Sequence, residues 1–262
     1  MRLIQLNYFP VKSLAPLSPL SRVVDDFGFM GDRRWMLVDE MGKFVTQRAY
    51  PQLALLNVVE ERDEHLIQFP DAKQYKISRE NHCEEKEVTV WQDGVCAEIH
   101  QNELSQKLSS YLGFNCHLAY MPETTFRQVD TEYFSGEQRV GFADAFPFLL
   151  LNMKSLEELN RRLMTPVGME RFRGNLIIDG NEPYEEDSWK RIRVGEIEFD
   201  VVKPCSRCVM TTVDPKQGTK SKEPLSTLST YRKNKFGVCF GQNLVHLNQG
   251  VLRVGDVVEI LK

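Results

Sequence analysis

Hydrophobic residues in the first hundred positions come in short runs broken by polar turns. Segments 34–38 and 43–47 flank Asp39-Glu40-Met41-Gly42, 53–59 and 65–69 flank the charged stretch 61–64, and 88–91 and 95–99 flank Gln92-Asp93-Gly94. Strand-like runs at this spacing, with turn residues between them, predict a barrel or sandwich. The period then changes. Leu104, Leu108, Tyr111 and Leu112 fall on one helical face, Asn102 occupies the N-cap position and Gly113 the stop, so a helix is expected over 103–112. The polar stretch 122–141 reads as loop and divides the chain into two units, 1–121 and 122–262.

In the second unit, 146–151 is apolar enough for a buried strand, and Ser155-x-x-Glu158 reads as a capping box opening a helix that runs to Leu163. Further strands are expected over 175–179, 191–194, 197–202, 240–247 and 251–260, with turns at Gly195-Glu196 and Gly255-Asp256. Segment 219–235 reads as a basic surface stretch. The fold expected from the pattern is mostly β (α+β), with two or three helices, in two closely packed units.

Composition narrows the function. A chain of 262 residues buries a core without metals or disulfides, and 27% charged and 42% hydrophobic residues are ordinary for a globular protein. A net charge of -4 argues against non-specific nucleic-acid binding. The longest apolar run, 145–151, is too short to cross a membrane and contains Pro147. The first residues lack the regions of a signal peptide, so the expected compartment is the cytoplasm and the six cysteines are expected as thiols.

The chemistry concentrates in KPCSRCVMTTVDPKQG, residues 203–218, where Arg207 lies between Cys205 and Cys208. Four readings are open. Structural zinc needs about four ligands, and Cys83, Cys96, Cys116, Cys239 and the five histidines form no second pair of matching spacing. A redox dithiol wants a helix after its first cysteine, which the β-branched run Val209, Thr211, Thr212 and Val213 argues against. Two buried core cysteines are the plain reading, against which Arg207 stands. The fourth is a soft metal held by one thiolate, its remaining ligands supplied by a cofactor. Elsewhere His100 and His246 read as structural, Trp35, Trp91 and Trp189 as core or barrel-rim residues, and Asp214-Pro215 as turn chemistry. The basic stretch 216–235 is a solvated face or a dock for an acidic electron-transfer partner.

The cysteine motif resembles the signature of the MOSC domain, within that superfamily most closely the mitochondrial amidoxime-reducing components and the bacterial proteins that reduce N-hydroxylated bases. The likeness extends through YFPVKSL (8–14), GDRRWMLVDEMGKFVTQR (31–48), DAFPFLLL (144–151), RFRGNLIIDG (171–180) and EEDSW (185–189). It implies an N-terminal MOSC β-barrel packed against a MOSC β-barrel domain, and a molybdenum cofactor. Carried over by position, Cys208 is the metal ligand and catalytic residue, while Lys12, Ser13, Arg33, Arg173, Asn175, Ser206 and Arg207 hold the pterin and its phosphate. Asp144, Ala145 and Phe146 match a cofactor-contacting loop, where Ala145 and Phe146 replace small polar residues and leave only backbone contacts to carry over. The physics agrees: guanidinium and ammonium groups from distant segments would make a pocket for a phosphate dianion. The implied activity is reduction of hydroxylamines, amidoximes or N-hydroxylated bases. The chain has no cysteine run for an iron–sulfur cluster, so its electrons are expected from a separate ferredoxin-like, cytochrome or flavin protein. The alternative is a non-catalytic carrier of the cofactor or of sulfur.

Overall fold

The computed structural model describes residues 1–62, 64–79 and 83–262, so part of the expected turn at 61–64 lies outside the described residues. The largest sheet has eight strands. Its path runs from Leu3–Leu6 through Leu176–Ile178, Phe148–Asn152, Gly237–His246, Ile197–Ser206 and Arg191–Val194 to Val258–Ile260. The ends of this path meet: Leu3 N donates to the Asp256 carbonyl at 2.9 Å and Val258 N to the Met1 carbonyl at 3.0 Å. Closure removes exposed sheet edges, as a barrel requires. The chain's first strand thus completes a barrel built mainly from its second half.

The strand Phe148–Asn152 is buried on both faces. Side chains alternate, so Phe148 and Leu150 join the barrel interior while Leu149 and Leu151 pack under the helix Met153–Arg162. That helix carries the chain over to Leu176–Ile178, which pairs in parallel with Phe148–Asn152. Phe148 is fully buried and its ring meets Phe29, Phe199 and His246 edge-on. Phe148→Ala is expected to destabilise the fold by about 3–5 kcal/mol, read as a lowered denaturant midpoint. His246, buried beside it, is pushed down to about 4 by burial and acts as a neutral core residue.

The first half adds a sheet of four strands (Trp35–Asp39, Cys116–Tyr120, Asp93–His100 and Glu84–Val90) and one of three (Asn57–Glu61, Glu64–Gln68 and Gln74–Ile77). The helix Glu103–Leu112 packs between them, capped by Asn102 accepting from Ser105 N and stopped by Gly113 at φ 82°. A further sheet joins Gly250–Arg253 to Ser21–Asp25 and Gly28–Phe29, tying the two ends of the sequence together.

Several local expectations are corrected. Segment 43–47 makes only isolated bridges, and 51–55 is a tight helical turn before the strand Asn57–Glu61. Ser155 lies inside its helix, whose cap is Asn152 accepting from Lys154 N; Ser155 and Glu158 instead bind Glu186 and the Tyr184 hydroxyl. The basic stretch 219–235 contains the helix Leu225–Tyr231, anchored by the buried Leu228. Packing against Phe240 and Leu159, invisible in the local pattern, explains that helix.

Candidate active site

The strand Ile197–Ser206 runs four residues beyond its expected end and delivers Cys205 and Ser206 to one end of the barrel. Cys208 then caps a single helical turn, Val209–Thr212, although the β-branched run argued against a helix there. The threonines make the turn: the Thr211 hydroxyl donates to the Cys208 carbonyl at 3.0 Å and the Thr212 hydroxyl to that of Val209 at 2.7 Å. Such local bonds let β-branched residues leave the strand.

All eleven residues carried over from the motifs line one cavity of about 230 Å³. Lys12 and Ser13 arrive on a segment clamped to the strand Trp35–Asp39, with Lys12 N donating to the Trp35 carbonyl at 2.8 Å. Arg33 stands just before that strand. The loop bearing Asp144, Ala145 and Phe146 approaches so closely that a Cβ on Gly141 would lie 2.8 Å from the Arg33 carbonyl oxygen. Ser13, Arg33 and Arg173 adopt φ of 70°, 47° and 55°, uncommon for residues with a Cβ, and strain of this kind collects at functional sites.

Six cations line the cavity (Lys12, Arg33, Arg48, Arg173, Lys203 and Arg207) against one carboxylate, Asp144. At one side the Arg33 and Arg173 guanidinium carbons each sit 4.2 Å from the centre of the Phe9 ring. Arg33 is anchored by Asp32 at 2.5 Å and Asn175 Oδ1 at 3.1 Å. Arg173 donates to the Leu14 carbonyl at 2.8 Å, and burial, then the Arg33 charge, push it down to about 9. Asn175 is fully employed within the protein, its Nδ2 donating to the Asn7 carbonyl and its Oδ1 accepting from Leu149 N and Arg33. It orients Arg33 rather than presenting a free amide.

Lys12 Nζ lies 2.6 Å from both Asp144 Oδ1 and the Phe142 carbonyl; burial lowers it to about 8 although Asp144 opposes the shift. Asp144 is held well below the usual carboxylate range: desolvation resists ionisation, but Lys12 and then Arg48 outweigh it. Raising the pH through 8 therefore strips positive charge from Lys12, while the guanidinium groups keep theirs. Affinity of the cofactor-free protein for sulfate, a dianion throughout, is expected to fall about tenfold between pH 7.5 and 9.5 by calorimetry as Lys12 loses its charge.

The cysteine motif behaves differently from its sequence. Arg207 partners Cys205, at 2.9 Å from Nη1, and the Phe172 carbonyl at 2.7 Å from Nη2. The guanidinium beside Cys208 is that of Arg48, whose Nε lies 3.4 Å from the sulfur. Sequence reasoning did not single out Arg48, although it closes the VTQR motif; its contact spans 160 positions. Nor was Trp91 placed here. Trp35 and Trp189 are buried, but Trp91 is 48% exposed and donates Nε1 to Asp144 Oδ1 at 3.2 Å. Lys203, another unforeseen lining residue, lies over the Tyr133 ring at the cavity's edge. Among the described residues Cys83, Glu98 and His100 also come together, but both Glu98 oxygens are held by Arg79, at 3.0 and 2.7 Å.

The sequence matches the profile of the MOSC N-terminal beta barrel domain over 1–115 and that of the MOSC domain over 137–259. Mitochondrial amidoxime-reducing component 1 of Mus musculus is 33% identical, across 98% of this chain and 81% of that protein. The chain belongs to the MOSC family. The Homo sapiens protein named mitochondrial amidoxime-reducing component 1 is 31% identical to this MOSC protein, across 98% of the chain and 82% of its own length. A molybdenum cofactor sulfurase of Oryza sativa subsp. japonica is 30% identical over 89% of the chain, which spans 31% of that longer protein.

The residues of this MOSC cavity fit a molybdenum cofactor. Ser13 Oγ, Arg48 Nη1 and Arg207 Nε are buried without a protein partner, and all three residues line the cavity. An unmatched buried donor costs about 1–3 kcal/mol, which an acceptor-rich anion would recover. The Arg33–Arg173 pair suits a phosphate, and Cys208 offers a soft sulfur ligand beside a cation. Cys205, engaged by Arg207, is the poorer candidate for that ligand.

Proposed function

We propose that this protein is a molybdenum-cofactor-dependent oxidoreductase that reduces N-hydroxylated compounds, including hydroxylamines, amidoximes and N-hydroxylated bases. The overall change is N–OH to N–H with release of water, consuming two electrons and two protons per molecule. The observation that carries the reading is Cys208 lining the same cavity as the half-buried pair Arg33 and Arg173.

When bound, the cofactor supplies the electron chemistry that removes oxygen from nitrogen. The chain supplies the rest. Cys208 holds the metal through sulfur. Arg33, Arg173 and Ser13 grip the phosphate end, and Lys12, Ser206 and Arg207 add positive charge and donors along the pterin. Asp144 organises Lys12 and Arg48 instead of meeting the anion itself, since a carboxylate would repel it. Ala145 contributes through its backbone, while Phe146, Leu149 and Phe172 give the cavity an apolar wall that excludes water and strengthens every charge within. In this reading the units 1–121 and 122–262 build the site together.

A separate acidic electron carrier would dock on the exposed lysines Lys216, Lys220, Lys222, Lys233 and Lys235. Lys220 reaches the Arg48 carbonyl, so this basic stretch begins at the cavity rim. Charge complementarity speeds such encounters. Unpaired thiols at all six cysteines suit a reducing compartment such as the cytoplasm, and no described helix is long and apolar enough to cross a membrane.

The test is expression in a host that makes the cofactor, followed by molybdenum analysis and assay with benzamidoxime under a chemical reductant. Bound molybdenum and formation of the amidine support the reading. Metal without turnover points to a carrier, and protein with neither metal nor turnover contradicts the proposal.

A further inference from the structure

Arg48 differs from the other cations of the cavity. Its Nε donates to Cys208 Sγ at 3.4 Å and its Nη2 to Asp144 Oδ2 at 2.6 Å. Its Nη1 is buried and without a protein partner, in a residue that lines the cavity. A guanidinium that served only to bridge a carboxylate would turn two nitrogens onto it, because paired parallel bonds are the strong geometry. Here the fork is split between sulfur and carboxylate.

A tryptophan holds that geometry. The Arg48 guanidinium carbon lies 4.5 Å from the centre of the Trp91 ring, and Trp91 Nε1 donates to the other oxygen of Asp144 at 3.2 Å. Trp91 sits between the strands Glu84–Val90 and Asp93–His100 with φ 57°, a conformation unfavourable for a bulky side chain. Surroundings must over-determine such a residue, and strain of this sort gathers at working sites. The hairpin of the first half thus reaches the cavity mouth and sets a cation against the sulfur.

We propose that Arg48 is a positioning residue for the Cys208 ligand, fixing the sulfur's direction, and that Trp91, through Asp144 and its ring face, holds Arg48 in place. This rests on Cys208 being the metal ligand. Lysine cannot replace Arg48, because a compact ammonium has no fork with which to meet sulfur and carboxylate together. Groups that orient metal ligands typically matter by about 10- to 100-fold.

Arg48→Met, Arg48→Lys and Trp91→Phe test this, each produced with cofactor beside the wild type. Three readouts are needed: molybdenum per chain, the electron paramagnetic resonance spectrum of the partly reduced metal, and kcat and KM for benzamidoxime. The variants are expected to keep most of their molybdenum, since the phosphate grip is intact. Arg48→Met is expected to shift the spectrum and lower kcat about 10- to 100-fold with little change in KM. Arg48→Lys should restore little of the loss, and Trp91→Phe, which keeps a ring but loses the N–H, should shift the spectrum in the same sense by less. A wild-type spectrum and kcat in Arg48→Met would overturn the proposal. So would metal loss that accounts for all the lost activity, since Arg48 would then hold the cofactor and not the sulfur. A metal-free wild type removes the oxidoreductase reading itself, and this inference with it.

Discussion

Cys208→Ala is expected to leave a folded protein with molybdenum near background and no measurable reduction of N-hydroxylated substrate. The sulfur is half-buried at the cavity and accepts from Arg48 Nε. The turn after it is held by backbone and threonine bonds that alanine keeps. The cost to folding should therefore stay near 1 kcal/mol, the ordinary scale for one substitution. Cys205→Ala is the matched control. Its sulfur binds Arg207 and packs against the cluster around Phe172 and Phe240, so the expected result is retained metal with a modest loss of stability. Elemental analysis after gel filtration, with thermal melts alongside, checks the pair. Equal metal loss in both variants would mean that the motif acts as a dithiol.

The second large effect concerns Arg33 and Arg173. Two guanidinium groups pack on one phenyl ring, and burial together with Arg33 pushes Arg173 down to about 9. Asp32 pairs with Arg33, so one carboxylate faces two cations and a further anion would offset the remaining positive charge. Each charge-assisted bond to a phosphate is then worth about 1.5–3 kcal/mol, so losing either arginine should weaken cofactor retention about 10- to 150-fold. Arg33→Met with Arg173→Met should abolish it. The metal-free double variant gives a second readout: phosphate stabilises the wild type in proportion to its occupancy, and that rise in melting temperature should vanish. A phosphate-dependent shift preserved in the double variant would move the anion site elsewhere in the cavity.

The part of the site legible in the sequence is the part carried by contiguous motifs. PVKS, the arginine before the strand Trp35–Asp39, RFRGN and CSRC are each short, and each keeps its meaning wherever the fold puts it. Helix Glu103–Leu112 was legible for the same reason, its cap and stop being local. What escaped depends on distance. Arg48 meets Cys208 across 160 positions and Trp91 meets Asp144 across 53, and nothing in either neighbourhood announces it. Arg207 stands beside Cys208 in the chain, yet its side chain turns to Cys205 and the Phe172 carbonyl, a choice made by packing. The closing of the barrel by the first strand is likewise a long-range event, fixed where Leu3 meets Asp256. Ser155 shows the converse failure: a valid local capping pattern yields to Asn152, because the buried Glu186 claims the serine hydroxyl.

X-ray absorption at the molybdenum edge tests the central claim most directly, comparing the wild type with Cys208→Ser loaded as far as it will go. The expected result is a protein-derived sulfur scatterer in the wild type, in addition to those of the dithiolene, that is missing from whatever metal the serine variant retains. An unchanged sulfur shell in the variant would contradict the assignment of Cys208 as the ligand.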